Sequence, residues 1–170
     1  MSTSDIQQLL AMENRGVHWV VPGRVLQGAY PYGFIRNLVQ DYKITRILNL
    51  TEFGDSCYEP VLKELFGKEA IPEMLTYFYI PDYGTPSKNE LDTIIKDLLK
   101  QFADGHNIYI HCHAGKGRST IVATCMLGKL YKLDGENALK LVRRAYARKR
   151  GTSPIPDTDA QEELIRRYLG

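Results

Sequence analysis

The chain has 170 residues, the length of one compact domain, and we predict a single domain over residues 1–170. Its residues are 44% hydrophobic and 25% charged, which excludes a disordered, collagenous or fibrous chain. The formal net charge of +2 argues against a nucleic-acid or membrane-surface protein, and no apolar run reaches the ~18 residues of a transmembrane segment.

Cysteine usage and the first residues of the chain bear on its location. Three cysteines are an odd number and too few for a disulfide framework, which favours a reducing compartment. Residues 1–14 lack the basic segment and long apolar stretch of a secretory signal. We therefore expect a cytoplasmic protein, and the sequence does not indicate its oligomeric state.

Apolar segments typical of strands alternate with segments typical of helices, which predicts an α/β fold with a central, mainly parallel sheet flanked by helices. The first half of the chain predicts helices over residues 4–12, 34–42 and 59–66, and strands over residues 19–21, 24–27, 44–50 and 75–80. Pro22-Gly23 separates the first two strands as a turn, and Gly67 follows the third helix as a stop signal.

The second half predicts helices more clearly. Apolar residues recur at helical spacing from Leu91 to Phe102, and Ser87 with Glu90 has the spacing of a capping box. A short strand over residues 107–111 precedes a segment, residues 119–131, that is apolar on all sides and predicts a buried central helix. Two further helices are expected. One covers residues 134–147, with Ala138, Leu141, Val142 and Ala145 facing inward, and a last one ends near residue 169.

The segment between that strand and the buried helix carries residues suited to holding and attacking a phosphate: His111-Cys112-His113-Ala114-Gly115-Lys116-Gly117-Arg118-Ser119. A tight loop at a helix N-terminus offers converging N–H groups and a positive dipole end to a phosphate dianion. Gly115 and Gly117 allow the backbone turns that point successive amides inward. Arg118 adds a planar fork that binds two phosphate oxygens at once.

Cys112 stands at the start of this loop, where the same amides and helix dipole would stabilise a thiolate nucleophile. The alternative is a small buried side chain of structural importance only. A zinc site at residues 111–113 is disfavoured because adjacent strand residues point to opposite faces. A nucleotide-binding loop is disfavoured because its glycine spacing is missing. We therefore expect no metal and no cofactor.

The motif Cys-x5-Arg-Ser, with His111 before it, resembles the signature of the cysteine-dependent protein tyrosine phosphatase superfamily. The chain length and the central His-Cys pair are similar to the dual-specificity branch. The resemblance implies a metal-independent hydrolase that forms a cysteinyl-phosphate intermediate and binds phosphate on His113, Ala114, Gly115, Lys116 and Gly117. It also implies that Ser119 supports the leaving thiolate, although a serine there also caps a helix. His111 is expected either to orient the loop and lower the pKa of the cysteine or to be structural only.

The leaving oxygen of a phosphate ester needs a proton from a carboxylic acid above the loop. Asp82 follows a strand expected in the same sheet, and the resemblance places an acidic residue at about this distance before the cysteine. The alternative is that Asp82 only forms part of a turn, because Pro-Asp with a nearby glycine is typical of turns. Asp55 is the second candidate for the acid.

The substrate is less clearly indicated. The short chain favours a shallow cleft and a phosphorylated protein or peptide, with phosphotyrosine and phosphoserine or phosphothreonine as targets. The alternative is a phosphoinositide or other lipid phosphate, since Lys116 is similar to the loops of phosphoinositide phosphatases. Against it, Glu52, Asp55 and Glu59 make the expected rim acidic. A more distant alternative is a module that binds phosphorylated residues without turnover.

Three other features of the sequence have candidate roles. Gln161 lies in a segment similar to the glutamine-rich loop that positions water in tyrosine phosphatases, but the first glutamine of that pattern is Asp157 here. The alternative is that Gln161 forms a capping box with Thr158. The basic residues between 143 and 150 form either an anion-binding surface or, as we favour, the solvated face of a helix. Cys57 is a candidate redox partner for Cys112.

Overall fold

The computed structural model describes residues 16–52 and 56–170, so the helix predicted over residues 4–12 and the alternative acid Asp55 lie outside the described residues. The strands are β1 (Val17–Val21), β2 (Val25–Gly28), β3 (Arg46–Asn49), β4 (Leu75–Tyr77) and β5 (Ile108–His111). The helices are α1 (Ile35–Gln40), α2 (Glu59–Phe66), α3 (Ile71–Met74), α4 (Lys88–Ala103), α5 (Arg118–Tyr131), α6 (Gly135–Arg150) and α7 (Asp159–Leu169), with a 3-10 turn at Lys68–Ala70.

The five strands form one mixed sheet in the order β1-β2-β5-β3-β4. Only the hairpin β1–β2 is antiparallel among the described strand pairs, and the other three pairs are parallel. The predicted α/β fold with a mainly parallel sheet is therefore confirmed. Gly28 of β2 and Asn49 of β3 both pair with His111, so three strands end together at one edge. Ligands of open α/β sheets bind at this carboxyl edge.

Helices cover both faces of the sheet. Ile108 and Ile110 of β5 point into a core shared with α4, α5, α6 and α7, whereas Tyr109 points into a second core with α1, α2 and α3. This alternation follows from the two-residue period of a strand. Because both faces of β5 are covered, all four of its residues are buried, and its end is a rigid support for the loop that follows.

Helix α5 lies in the centre of the larger core, as its apolar sequence predicts. Its first eleven residues, from Arg118 to Gly128, are all buried. Among the described residues, no helix has both the length and the apolar character needed to cross a membrane. The burial of α5 fixes the position of its N-terminus, where the phosphate-binding motif ends.

Local predictions are confirmed at both capping boxes, which precede α4 and α7. The strand predicted over residues 75–80 is shorter, since β4 ends at Tyr77. The next residues stay extended beside β3, with Phe78 N donating to Asn49 O at 2.9 Å and Ile80 N to Leu50 O at 3.1 Å. This continued pairing carries the chain to the sheet edge where the motif lies.

Candidate active site

The loop between β5 and α5, residues 112–118, is called the phosphate loop below. It begins at Cys112, whose side chain is buried, at the carboxyl end of the central strand. Gly115 has a φ of +70°, and a Cβ there would collide with the backbone of Gly28 and Ala29. Glycine is therefore required where the loop passes the end of β2, in a conformation that L side chains rarely adopt.

The carbonyl groups of the phosphate loop are held by an arginine from α6. Arg150 donates to Gly115 O at 2.6 Å and to Ala114 O at 2.8 Å. In a trans peptide the C=O and the following N–H point in opposite directions. Fixing these two oxygens on one side therefore directs the N–H groups of Gly115 and Lys116 to the other side, as an anion-binding nest requires.

The contact of Arg150 corrects the interpretation of the basic stretch as one solvated face. Arg143 also turns inward, with Nε donating to Ile155 O at 2.9 Å and Nη2 at 2.8 Å from Glu162 Oε2. Arg144, Arg148 and Lys149 are exposed. The sequence gives no signal for Arg150, because helical spacing identifies a buried face only through apolar residues.

Ser119 lies beside the candidate nucleophile, with its Oγ 3.4 Å from Cys112 Sγ. Gln27 Nε2 donates to Ser119 Oγ at 3.1 Å and to Thr120 Oγ1 at 2.8 Å. Because Ser119 accepts the proton of Gln27, its own hydroxyl proton is free to point at the sulfur. Gln27 was missed in the sequence, where the only signal is a polar residue within the apolar strand Val25-Leu26-Gln27-Gly28.

His111 supports the loop from below through a buried polar chain. Its Nδ1 lies 3.0 Å from Cys112 O and its Nε2 lies 2.8 Å from the hydroxyl of Tyr58, which accepts from Asn49 Nδ2 at 3.0 Å. Burial lowers the pKa of His111 to about 4, so its ring is neutral near pH 7. A neutral ring that donates from Nδ1 orients the peptide of Cys112 and brings no positive charge to the thiol.

Arg118 joins the phosphate loop to the segment that carries Asp82. Its Nη1 donates to Ile80 O at 3.0 Å, and its Nη2 lies 3.2 Å from Asp82 Oδ1. Arg118 is 5% exposed, and its Nε has no hydrogen-bond partner among the described residues. The guanidinium thus retains a donor for a phosphate oxygen while it holds a carboxylate close to the loop.

Two further residues from the start of α7 reach the phosphate loop. A Cβ on Gly117 would lie 2.5 Å from Asp157 Oδ2 and 3.0 Å from Gln161 Oε1, so both side chains rest against this glycine. Burial and the negative charge of Asp82 raise the pKa of Asp157. Asp157 and Gln161, whose roles the sequence leaves open, therefore both lie beside the phosphate loop.

The motif opens into a cleft of about 310 Å³. Its walls combine aromatic rings, hydroxyl and thiol groups, two carboxylates and one cation: Tyr30, Tyr32, Tyr79, His113, Thr51, Cys57, Glu52, Asp82 and Arg118. Cys57 is exposed and, like Cys112 and Cys125, unpaired, so its redox role stays a prediction. No three His, Cys, Asp or Glu side chains within residues 16–52 and 56–170 are placed to hold a metal ion.

One family model matches most of this chain. The model of a phosphatase domain described as "PTP-SAK: Swiss Army Knife protein, DSP-PTPase phosphatase domain" matches residues 14–164. The human protein named phosphatidylglycerophosphatase and protein-tyrosine phosphatase 1 is 25% identical over 121 residues, which cover 71% of this chain and 60% of that protein. The bovine protein tyrosine phosphatase domain-containing protein 1 is 30% identical over 112 residues, 61% of this chain and 14% of its own length.

Solved structures agree with the fold. A crystal structure of Tk-PTP in the active form covers 91% of this chain and 96% of its own, with 22% identity and a TM-score of 0.68. A structure of PTPMT1 in complex with PI(5)P covers 90% and 94%, with 22% identity and a TM-score of 0.67. At this identity the likeness concerns the fold alone.

The aligned part of this chain spans 14% of the length of the bovine relative and 60% of the length of the human one. The family match, in contrast, extends over most of this chain and includes the phosphate loop, Asp82 and the start of α7. The chain therefore belongs to the dual-specificity phosphatase-type domains of the cysteine-based protein tyrosine phosphatase superfamily.

Proposed function

We propose that this protein hydrolyses phosphomonoesters through a cysteinyl-phosphate intermediate. The observation that carries the proposal is that Arg118, at the end of the loop that Cys112 begins, lines one cleft together with Asp82, although Asp82 comes from a separate part of the chain. Arg118 contacts the Asp82 carboxylate directly, so the candidate phosphate-binding cation and the candidate acid are close enough to act on the same phosphate ester.

In the first step, the Cys112 thiolate attacks phosphorus, an S–P bond forms and the P–O bond to the leaving group breaks. Protonated Asp82 gives its proton to the leaving oxygen. Arg118 and the N–H groups of the phosphate loop bind the equatorial oxygens, where the charge of the transition state is spread.

In the second step, water attacks the phosphocysteine and the S–P bond breaks. The Asp82 carboxylate accepts the proton of the attacking water, and the Ser119 hydroxyl donates a hydrogen bond to the departing thiolate. The distance of 3.4 Å between Ser119 Oγ and Cys112 Sγ suits this contact.

For the substrate, we propose phosphotyrosine, and also phosphoserine or phosphothreonine, in proteins or peptides. Tyr30, Tyr32 and Tyr79 form aromatic walls that suit a phenyl ring above the phosphate. Tyr32 and Tyr79 are more than half exposed, so the cleft is shallow enough to admit an alkyl phosphate as well.

A phosphoinositide is the second candidate. Its support is the structure of PTPMT1 with PI(5)P, which shares this fold, together with Lys116 in the phosphate loop. The carboxylates of Glu52 and Asp82 in the cleft disfavour a headgroup with several phosphates, because like charges repel. The aromatic and acidic lining therefore favours a peptide substrate.

Phosphate release from a matched substrate panel tests the proposal. The panel holds phosphotyrosine, phosphoserine and phosphothreonine peptides and phosphoinositides, with EDTA present throughout. We expect chelator-resistant release that is fastest from phosphotyrosine peptides and is lost in Cys112→Ser. Cys125→Ala is the matched control, because Cys125 is buried within α5 and lies outside the phosphate loop.

The panel also separates the alternatives. Fastest release from phosphoinositides would replace the peptide substrate with the lipid. No release above the Cys112→Ser background would leave the loop as a site that binds phosphorylated residues without turnover.

We also propose that the protein acts in the cytoplasm. The support is that Cys57, Cys112 and Cys125 are all free, as is usual in a reducing compartment. A fluorescent fusion that collects in an oxidising compartment would contradict this part of the proposal.

A further inference from the structure

Asp82 is presented by a tight turn, residues 80–84, called the acid loop below. Gly84 N donates to Pro81 O at 2.8 Å, which closes the turn. Tyr83 has a φ of +61°, in the left-handed region that favours glycine or asparagine. A bulky residue in this conformation costs about 1 kcal/mol or more, so contacts from elsewhere must hold the acid loop in shape.

The first of these contacts is Arg118. It binds the start of the acid loop through Ile80 O at 3.0 Å and the acid itself through Asp82 Oδ1 at 3.2 Å. In the proposed reaction Arg118 also binds the phosphate, so the substrate competes with the Asp82 carboxylate for its guanidinium. The far end of the acid loop therefore needs a separate attachment that substrate binding leaves intact.

The second contact is Gln161, which supplies that attachment. Its Nε2 donates to Gly84 O at 3.1 Å. Its Oε1 accepts from Thr158 N at 3.2 Å, which fixes the orientation of the amide and directs the NH2 group at the acid loop. Gln161 is fully buried, and its amide also rests against Gly117 of the phosphate loop.

We propose that Gln161 is a positioning residue that holds the acid loop over the phosphate loop, so that Asp82 reaches the leaving oxygen. This inference rests on the proposed function, because it concerns the proton that Asp82 supplies. The Gln161 side chain hydrogen-bonds the end of the acid loop to the start of α7, and it packs against Gly117 of the phosphate loop. Gln161 acts through Asp82 and needs no contact of its own with the reacting atoms.

The capping box alone does not account for a glutamine here. Capping uses only Oε1 and the backbone N of Gln161, which bond to the backbone N–H and the hydroxyl of Thr158. Glutamate caps a helix in the same way as glutamine. Only the bond to Gly84 O needs the NH2 group, so the two roles can be separated by substitution.

Gln161→Glu is the central variant, because it keeps the acceptor for Thr158 and loses the donor to Gly84. Gln161→Met removes both without adding charge, and Thr158→Ala weakens the cap while leaving the donor in place. Each variant is assayed with p-nitrophenyl phosphate, which has a good leaving group, and with phenyl phosphate, which has a poor one that needs protonation.

We expect both Gln161 variants to lose about tenfold or more in kcat/KM, which reports the first step alone, with phenyl phosphate, because a general acid contributes about 10²–10⁴-fold. With p-nitrophenyl phosphate the loss should stay within about threefold, since this leaving group needs little protonation. Thr158→Ala should lower thermal stability without this selectivity. Equal losses with both substrates, or none, would overturn the proposal.

Hydrogen exchange provides a readout that does not depend on turnover. We expect amides of the acid loop to exchange faster in Gln161→Glu and Gln161→Met than in the wild type and in Thr158→Ala. Unchanged exchange would overturn the attachment even in an active enzyme. If the wild type releases no phosphate from either substrate, the proposed function fails, and faster exchange would still establish the attachment of the acid loop.

Discussion

The phosphate loop and the acid loop line the same cleft but are built in different ways. The phosphate loop consists of consecutive residues between a buried strand and a buried helix, and its carbonyls are fixed by Arg150. The acid loop is exposed at Asp82 and Tyr83, and distant side chains, Arg118 and Gln161, hold its two ends. A phosphate cradle can thus be encoded locally, whereas the placement of the acid depends on contacts across the chain.

Arg118→Lys should have the largest effect, because Arg118 serves both loops. Lysine cannot form two parallel bonds to phosphate or reach Ile80 O and Asp82 together. We expect kcat to fall by about 10²–10³-fold with every substrate, comparable to the loss of one oxyanion-hole donor. Steady-state kinetics measure this, with Arg36→Lys in a surface ion pair as the control. A loss confined to poor leaving groups would show that Arg118 serves only the acid loop.

Acid should destabilise the region beneath the phosphate loop. Burial lowers the pKa of His111 to about 4 and that of His18 to about 3, below the ~6.5 of an unfolded chain. As the pH falls from about 6.5 towards 4, the unfolded chain binds protons that the folded protein excludes, so folding stability falls by up to about 1.4 kcal/mol per pH unit for each histidine.

Urea unfolding at pH 7, 6 and 5 measures this loss. His18→Gln should reduce the slope to roughly that of one histidine. A stability that does not change over this range would mean that neither ring stays neutral in the folded protein.

Arg150→Met tests whether α6 stabilises the phosphate loop. The substitution keeps an unbranched side chain but removes the guanidinium, which lies over the Tyr146 ring and donates to both loop carbonyls. Losing two hydrogen bonds from a charged group, one part-buried and one exposed, should cost about 2 kcal/mol in the free energy of unfolding. The inhibition constant of inorganic phosphate should also rise, because the N–H groups lose their alignment.

Urea titration and competitive inhibition are the measurements for Arg150, and Arg144→Met on the same helix is the exposed control. If both variants behave alike, the phosphate loop keeps its shape without help from α6.

Tyr83→Gly should have the smallest effect on stability. Glycine relieves the strain at a φ of +61° but gains freedom in the unfolded chain, so the two contributions nearly cancel to within about 1 kcal/mol. The acid loop should nevertheless become more mobile, with faster amide exchange and a selective loss with poor leaving groups. A loss of several kcal/mol would mean that the Tyr83 side chain, which is 64% exposed, makes a contact that stabilises the turn.

Most of the fold and the centre of the site could be predicted from the sequence. Periodicity identified α4, and an apolar sequence on all sides identified α5. Capping boxes located the starts of α4 and α7, because this signal lies within one turn of the helix. One periodicity argument was wrong for α6, where Leu141 was expected to face inward but is exposed while Leu139 and Tyr146 are buried. When apolar residues lie on several sides of a helix, the sequence is compatible with more than one buried face, and the packing partners decide which face is buried.

The sequence by itself indicated the family and supplied the candidate nucleophile and the candidate phosphate-binding arginine, because Cys112 and Arg118 belong to one short motif whose geometry is local. Only the tertiary structure decided what surrounds them: Gln27 beside Ser119, Arg150 behind the loop and Gln161 against the acid loop. These side chains come from β2, α6 and α7, far apart in the chain. A hydrogen bond needs atoms within about 3 Å, and such proximity between distant residues exists only once the sheet and its helices have packed.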